Sequence, residues 1–256
     1  MDFAKVNQKV WEQKVIDDYD WTQPVSAEEV AKARNGEWQI LLTPEKYVPR
    51  DWFPETITGK KILCLASGGG QQGPIMAAAG GDVTVLDYCQ AQLDQDTFVA
   101  KRDGLRIRTV QADMRDISIL DDETFDLIVH PWSNVYVDNV LPVWKEAYRV
   151  LKHGGTLLAG FANPVEYIFD LRSMMEGKLV VRHKLPYSDL TSISKEELQE
   201  LVLDQGEGIC FGHTLEDQIQ GQITAGFLIA GFYEDISGTE LDEYMNGSIA
   251  TKAIKL

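Results

Sequence analysis

The sequence predicts an α/β fold: a doubly wound, mostly parallel sheet that ends in an antiparallel C-terminal strand pair and is preceded by a helical N-terminal appendage. Three observations carry this. From Lys61 onward, short apolar runs alternate with longer amphipathic stretches, the pattern of strand–helix repeats over a parallel sheet. The first of those runs leads into a glycine-dense turn that opens a helix. The last two runs are joined by a segment too short for a crossover helix, so they must pair antiparallel at a sheet edge.

Residues 1–57 read as a helical and loop cap, and 58–256 as the main domain with an insertion at about 164–205. The cap holds Trp11, Trp21, Trp38 and Trp52. Ser26-Ala27-Glu28-Glu29 is a capping box, so a short helix runs from Ala27 towards Asn35-Gly36. Five strands follow at 61–65, 82–86, 106–111, 125–129 and 156–161, four of them continuously apolar, as burial on both faces requires. Leu141, Trp144, Ala147, Tyr148 and Leu151 recur at helical spacing before the fifth strand, with Gly154-Gly155 expected to end that helix. Trp144 and Tyr148 are therefore core. Within the insertion a helix is capped by Ser194 and Glu197. A further helix at 214–225 precedes the closing strands at 227–234 and 247–256.

Charge narrows the function. With 24 Lys and Arg against 40 Asp and Glu, the formal charge is −16, which disfavours a nucleic-acid grip and an anionic membrane surface alike. No run reaches the ~18 apolar residues of a membrane helix, and the polar N-terminus has no secretory pattern, so the expected location is cytoplasmic. Cys64, Cys89 and Cys210 lack CxxC spacing, and the four histidines lack paired-ligand spacing; no disulfide framework or metal site is expected.

The strongest local signal is Ile62-Leu63-Cys64-Leu65-Ala66-Ser67-Gly68-Gly69-Gly70-Gln71-Gln72-Gly73. Glycines at such a turn let backbone amides approach a ligand, and a following helix N-terminus favours an anionic group. Gly68, Gly70 and Gly73 also satisfy GxGxxG, so a dinucleotide reading stays open. Asp87 ends the second strand nineteen positions after Gly68, where an acid accepts from ribose hydroxyls. Asp113, after the third strand, can accept an exocyclic amino proton. Three successive strand ends thus carry groups suited to one adenosine, at the edge where open α/β sheets bind ligands.

These residues, with Phe125-Asp126-Leu127-Ile128-Val129 and Arg149-Val150-Leu151-Lys152-His153-Gly154-Gly155, resemble the class I S-adenosylmethionine-dependent methyltransferases, whose fold is Rossmann-like. The resemblance covers roughly residues 58 to 162 and extends to the rest by architecture. It implies S-adenosylmethionine as cofactor, with Ala66, Ser67, Gly68, Gly69, Gly70, Gln71 and Gln72 around the methionine moiety, Asp87 and the adjoining Tyr88 at the ribose, and Asp113 with Met114 at the adenine. It places His130 at the methionine end or against the substrate. Two departures stand out. The family's usual acid near the end of the first strand is Cys64 here, and a thiol cannot anchor an ammonium as a carboxylate does. After the fourth strand the chain reads His130-Pro131-Trp132-Ser133, not the Asn/Asp-Pro-Pro-aromatic string of enzymes that methylate exocyclic or glutamine amines, nor a Pro-Cys nucleophile. With the acidic charge, this points to a small-molecule acceptor.

Trp21, Trp38, Trp52 and Phe53 supply surfaces for a pocket or for packing the cap onto the sheet, and packing accounts for most of them. Trp132, Asn134 and Tyr136 follow the fourth strand and can touch an acceptor; Glu166, Tyr167 and His213 are weaker candidates. His130 and Tyr136 are the catalytic candidates if a base is used at all. An NAD(P)-dependent oxidoreductase and a non-catalytic adenosylmethionine-binding protein remain the alternatives. From its strand-end position, Asp87→Ala is expected to weaken cofactor binding with little change in thermal stability.

Overall fold

The structure, a computed structural model, describes residues 1–256. In chain order its helices and strands are α1 (Phe3–Ile16), α2 (Ala27–Arg34), β1 (Lys61–Leu65), α3 (Gln72–Ala78), β2 (Asp82–Asp87), α4 (Gln90–Asp103), β3 (Ile107–Gln111), β4 (Phe125–His130), α5 (Leu141–Val150), β5 (Leu151–Ala162), α6 (Leu171–Met175), β6 (Tyr187–Ser188), α7 (Lys195–Leu201), β7 (Phe211–Gly212), α8 (Gly221–Ala225), β8 (Phe227–Asp235) and β9 (Ser248–Lys255). The main sheet has the order β3-β2-β1-β4-β5-β9-β8. The first five strands run parallel, and β9 pairs antiparallel with both β5 and β8. Strand order reverses between β1 and β4, and that reversal opens a crevice at the carboxyl ends of the strands.

Side chains alternate across the sheet, so β1 feeds two cores. Leu63 and Leu65 pack with Ile128, Trp144 and Leu157 under α5. Ile62 and Cys64 pack on the other face with Val83, Val85 and Leu93 under α3 and α4. Trp144 is fully buried, as its helical spacing required. Trp52 and Phe53 are buried in the second core and Trp38 packs against it, which joins the N-terminal segment to the sheet. At the close approach of Leu42 to β5, a Cβ on Gly160 would overlap the Leu42 carbonyl oxygen, so only glycine fits there.

Three elements differ from the sequence reading. Helix α1 was not anticipated because its buried residues, Asn7 and Lys14, are polar, and no apolar stripe marks the face it packs. Gly154 and Gly155 do not end a helix; α5 passes directly into β5, and the two glycines sit in that strand beside a register shift against β4. The helix expected at 214–225 is a π turn at Glu216–Gln220 followed by α8. Both capping boxes form, at Ser26–Glu29 and at Ser194–Glu197.

Candidate functional site

One cavity of about 410 Å³ lies over the carboxyl ends of β1, β2, β3 and β4, beneath the N-terminal segment. Its sheet side is formed by Ala66, Ser67, Gly68, Gln71, Gln72, Asp87, Tyr88, Asp113 and Met114. These are nine of the twelve residues expected around a cofactor. The opposite side carries Trp11, Tyr19 and Trp21 from the N-terminal segment, with Trp132, Tyr136, Tyr167 and Cys210.

The glycine turn is held from three directions. Gly68 N donates to Asp87 Oδ2 over 2.9 Å. Gly69 N donates to the Gln92 carbonyl oxygen and, with Gly70 N, to Asp96 Oδ2. Val25 N donates to the Gly70 carbonyl oxygen at 2.9 Å, and Gln72 Nε2 to the Leu41 carbonyl oxygen at 3.3 Å, so the N-terminal segment is tied to the turn. A Cβ at Gly68 would lie 2.7 Å from Gln92 Cβ and 3.1 Å from Asp87 Oδ2; the turn has room for a backbone and nothing more. Gly69 and Gly70 face α4 and the N-terminal segment and do not line the cavity, contrary to their expected place at the methionine moiety.

Asp87 also accepts from Cys89 N at 2.9 Å through Oδ1. Burial pushes its pKa up, partly offset by the amides of Cys89 and Gly68. Because the carboxylate staples the glycine turn to the start of α4, Asp87→Ala is expected to lower stability, where the sequence alone led to a nearly unchanged thermal transition. Asp113 turns its carboxylate to Arg115, whose Nη2 lies 2.7 Å from Oδ2, and Arg115 Nη1 reaches Asp138 Oδ1 at 2.7 Å. The two acids raise the guanidinium pKa.

His130 is placed differently from the expectation. It is fully buried, does not line the cavity, and spends both ring nitrogens on the framework: Nδ1 lies 2.8 Å from the Leu65 carbonyl oxygen and Nε2 2.7 Å from the Asn134 side-chain amide. Burial lowers its pKa, partly offset by the Leu65 carbonyl oxygen and the Asn134 side chain. Asn134 and His213 belong to the same buried framework, with His213 Nε2 3.0 Å from the Asn134 carbonyl oxygen. Glu166 lies off the cavity near Ser237 and Thr239. Tyr136 does line the cavity, and burial pushes its hydroxyl pKa well up. Ala66 and Trp132, both on the cavity wall, hold φ of +47° and +34°, a left-handed backbone that non-glycine residues adopt at a cost of roughly 1–3 kcal/mol. Ser133 Oγ joins the two segments by donating to the Ala66 carbonyl oxygen at 2.6 Å.

The donor set fits an adenosine-bearing cofactor. The Asp87 carboxylate at the cavity wall suits a ribose diol, Asp113 and Met114 suit an adenine edge and face, and the Gly68 cradle would be filled by any Cβ. Gln92 Oε1, on the same wall, is buried without a partner. Residues 63–159 match the family described as a methyltransferase domain. The chain is 52% identical, over 98% of its own length and 97% of the other, to an uncharacterized methyltransferase of Bacillus subtilis, YbaJ. The chain belongs to the class I S-adenosylmethionine-dependent methyltransferases. Its fold is also that of S-adenosylmethionine-dependent methyltransferases from Mesorhizobium loti (TM-score 0.61, 19% identity, covering 80% of this chain and 94% of that one) and, in a structure described as putative, from Listeria monocytogenes (TM-score 0.62, 20% identity, 81% and 94%). S-adenosylmethionine is accordingly the cofactor of this methyltransferase, and the oxidoreductase alternative falls.

Several site residues escaped the sequence. Gln92 and Asp96 sit four apart on α4 and meet the glycine turn, yet α4 carries no motif that marks them. Lys14 and Glu207 are 193 positions apart and meet across the cavity at 2.8 Å.

Proposed function

We propose that this methyltransferase acts on a small-molecule acceptor held in the cavity between the strand ends and the N-terminal segment. The observation that carries this is a single cavity with the cofactor residues on one side and an aromatic wall on the other. In this reading Ala66–Gly68, Gln71, Gln72, Asp87, Tyr88, Asp113 and Met114 hold the cofactor, and residues 1–57 act as the cap of the 58–256 domain. When bound, the cofactor supplies an electrophilic methyl group on a sulfonium whose departure needs no acid.

The chain's own task is then positional. Trp11, Tyr19, Trp132 and Tyr136 offer flat walls for an acceptor, and holding reactants in near-attack geometry contributes roughly 7–11 kcal/mol in favourable cases. Tyr136, kept protonated by its raised pKa, orients by hydrogen bonding and does not act as a base. His130, off the cavity wall, holds the framework. Both cations of the lining are already paired, Lys14 with Glu207 and Arg115 with Asp113 and Asp138, which favours an uncharged or cationic acceptor over a phosphate or carboxylate. The net charge of −16 argues against nucleic acid as the acceptor, and free cysteines with no helix long and apolar enough to cross a membrane suit a cytoplasmic setting. Incubation with a radiolabelled methyl donor and a metabolite extract tests the proposal: label should appear in a low-mass product, and label confined to protein or nucleic acid, or none transferred, would contradict it.

A further inference from the structure

Beneath the glycine turn lies an acid whose charge the fold does not need. Asp96 on α4 is 0% exposed. Its Oδ2 accepts from Gly69 N and Gly70 N, both at 3.2 Å, while Oδ1 is buried with no partner. Space is kept for it: a Cβ at Gly73 would lie 2.9 Å from Oδ1 and 2.6 Å from Val85 Cγ2. A neutral amide oxygen would accept the same two bonds without the cost of burying an acid, so the orphaned oxygen calls for a role. Across the same face β1 presents Cys64, the position where an acid was expected.

We propose that Asp96 is a positioning residue for the cofactor's cationic end: it fixes Gly69 and Gly70 behind the cavity-lining Gly68 and, once ionised, supplies from below the turn the negative charge that Cys64 does not. This rests on the cofactor site described above. The titratable groups facing Asp96 are the Cys64 thiol on β1 and the Asp87 carboxyl at the end of β2; the glycine turn offers amides and α3 only Gly73. No cation is hydrogen-bonded to it. Burial first, and then the Asp87 charge, hold its pKa up at about 8 against the pull of the two amides. Ionised Asp96 therefore favours a ligand that brings positive charge over the turn. S-adenosylmethionine carries a sulfonium that S-adenosylhomocysteine lacks, so the donor is preferred over the product more strongly as pH rises through about 8.

The test is calorimetric titration of the full chain and of Asp96→Asn with both ligands from pH 6.5 to 9. In the wild type the ratio of product Kd to donor Kd should climb on the order of tenfold relative to the same ratio in Asp96→Asn, the size of one unit charge acting through an effective dielectric near 20. The ligands' own titrations are common to both proteins and drop out of that comparison. A merely structural role weakens both ligands alike and leaves the two profiles parallel, which would overturn the proposal. Should Asp96→Asn fail to fold, proton release by the wild type decides: at pH 7, in buffers of different ionisation enthalpy, the donor should release more protons than the product as Asp96 gives up its proton to the buffer. Equal release overturns the proposal while leaving the cofactor site intact; failure of both ligands to bind at all would remove both.

Discussion

Replacing Asp87 by alanine strikes the site and the scaffold together, in separable amounts. The carboxylate accepts from Gly68 N through Oδ2 and from Cys89 N through Oδ1, each at 2.9 Å. Alanine leaves both amides without their charged partner, at roughly 1–3 kcal/mol each if they stay dry. The group borders the cavity, so water can reach the vacated position and the lower end applies, about 2 kcal/mol in all. For a chain of this size, about 2 °C per kcal/mol then gives a fall of about 4 °C in the apo melting temperature. Binding loses more. Two hydrogen bonds from ligand hydroxyls to a carboxylate, at ~1.5 kcal/mol each, amount to ~3 kcal/mol or roughly 150-fold in Kd. Differential scanning calorimetry and titration with S-adenosylhomocysteine read the two quantities independently. A melting temperature that falls with unchanged affinity would make Asp87 a staple only; weakened affinity with no loss of stability would refute the hydrogen-bond account of the glycine turn.

Gly68→Ala should weaken S-adenosylhomocysteine at least tenfold, since the new Cβ meets Gln92 Cβ at 2.7 Å and the Asp87 carboxyl at 3.1 Å; titration with affinity unchanged would mean the cradle is not used. Gly160→Ala, which drives a methyl into the Leu42 carbonyl, should destabilise by ~3 kcal/mol or more in urea unfolding, and a neutral outcome would show that the N-terminal segment is not docked on β5. The contribution of Asp96 to apo stability should fall as pH rises from about 4 to about 8, because unfolded Asp96 ionises near its ordinary value while the native group keeps its proton up to about 8. Asp96→Asn should remove that contribution, so its urea midpoint gains on the wild type between pH 5 and pH 8; an equal difference at both would contradict the raised pKa.

Much of the sheet was legible because burial on both faces leaves runs such as Ile62–Leu65 and Leu127–Val129 with no polar interruption. The closing pair was legible from connection length alone, and β9 lies between β5 and β8 as an antiparallel strand. What was not legible depends on contacts far apart in sequence. Helix α1 is anchored by Asn7, whose side-chain amide exchanges hydrogen bonds with the backbone of Ile209 at 2.9 and 2.7 Å, and no local pattern encodes a partner 202 positions away. Gly154-Gly155 misled because the pair that stops a helix also suits a bulged strand start. His130 stands next to the cavity in sequence, but the inward side of β4 points it at Leu65 and Asn134. Asp96 escaped because an aspartate within a polar helix reads as solvated until the glycine turn is folded over it.

The claim on which the rest depends is that the ends of β1, β2 and β3 hold one adenosine-bearing ligand under the N-terminal segment. A crystal structure with S-adenosylhomocysteine measures this directly. The ribose should lie against Asp87 and the adenine against Asp113 and Met114, leaving the space beside the sulfur open towards Trp132 and Tyr136. Density for the ligand outside this cavity, or an adenosine that touches Asp87 and not Asp113, would contradict it.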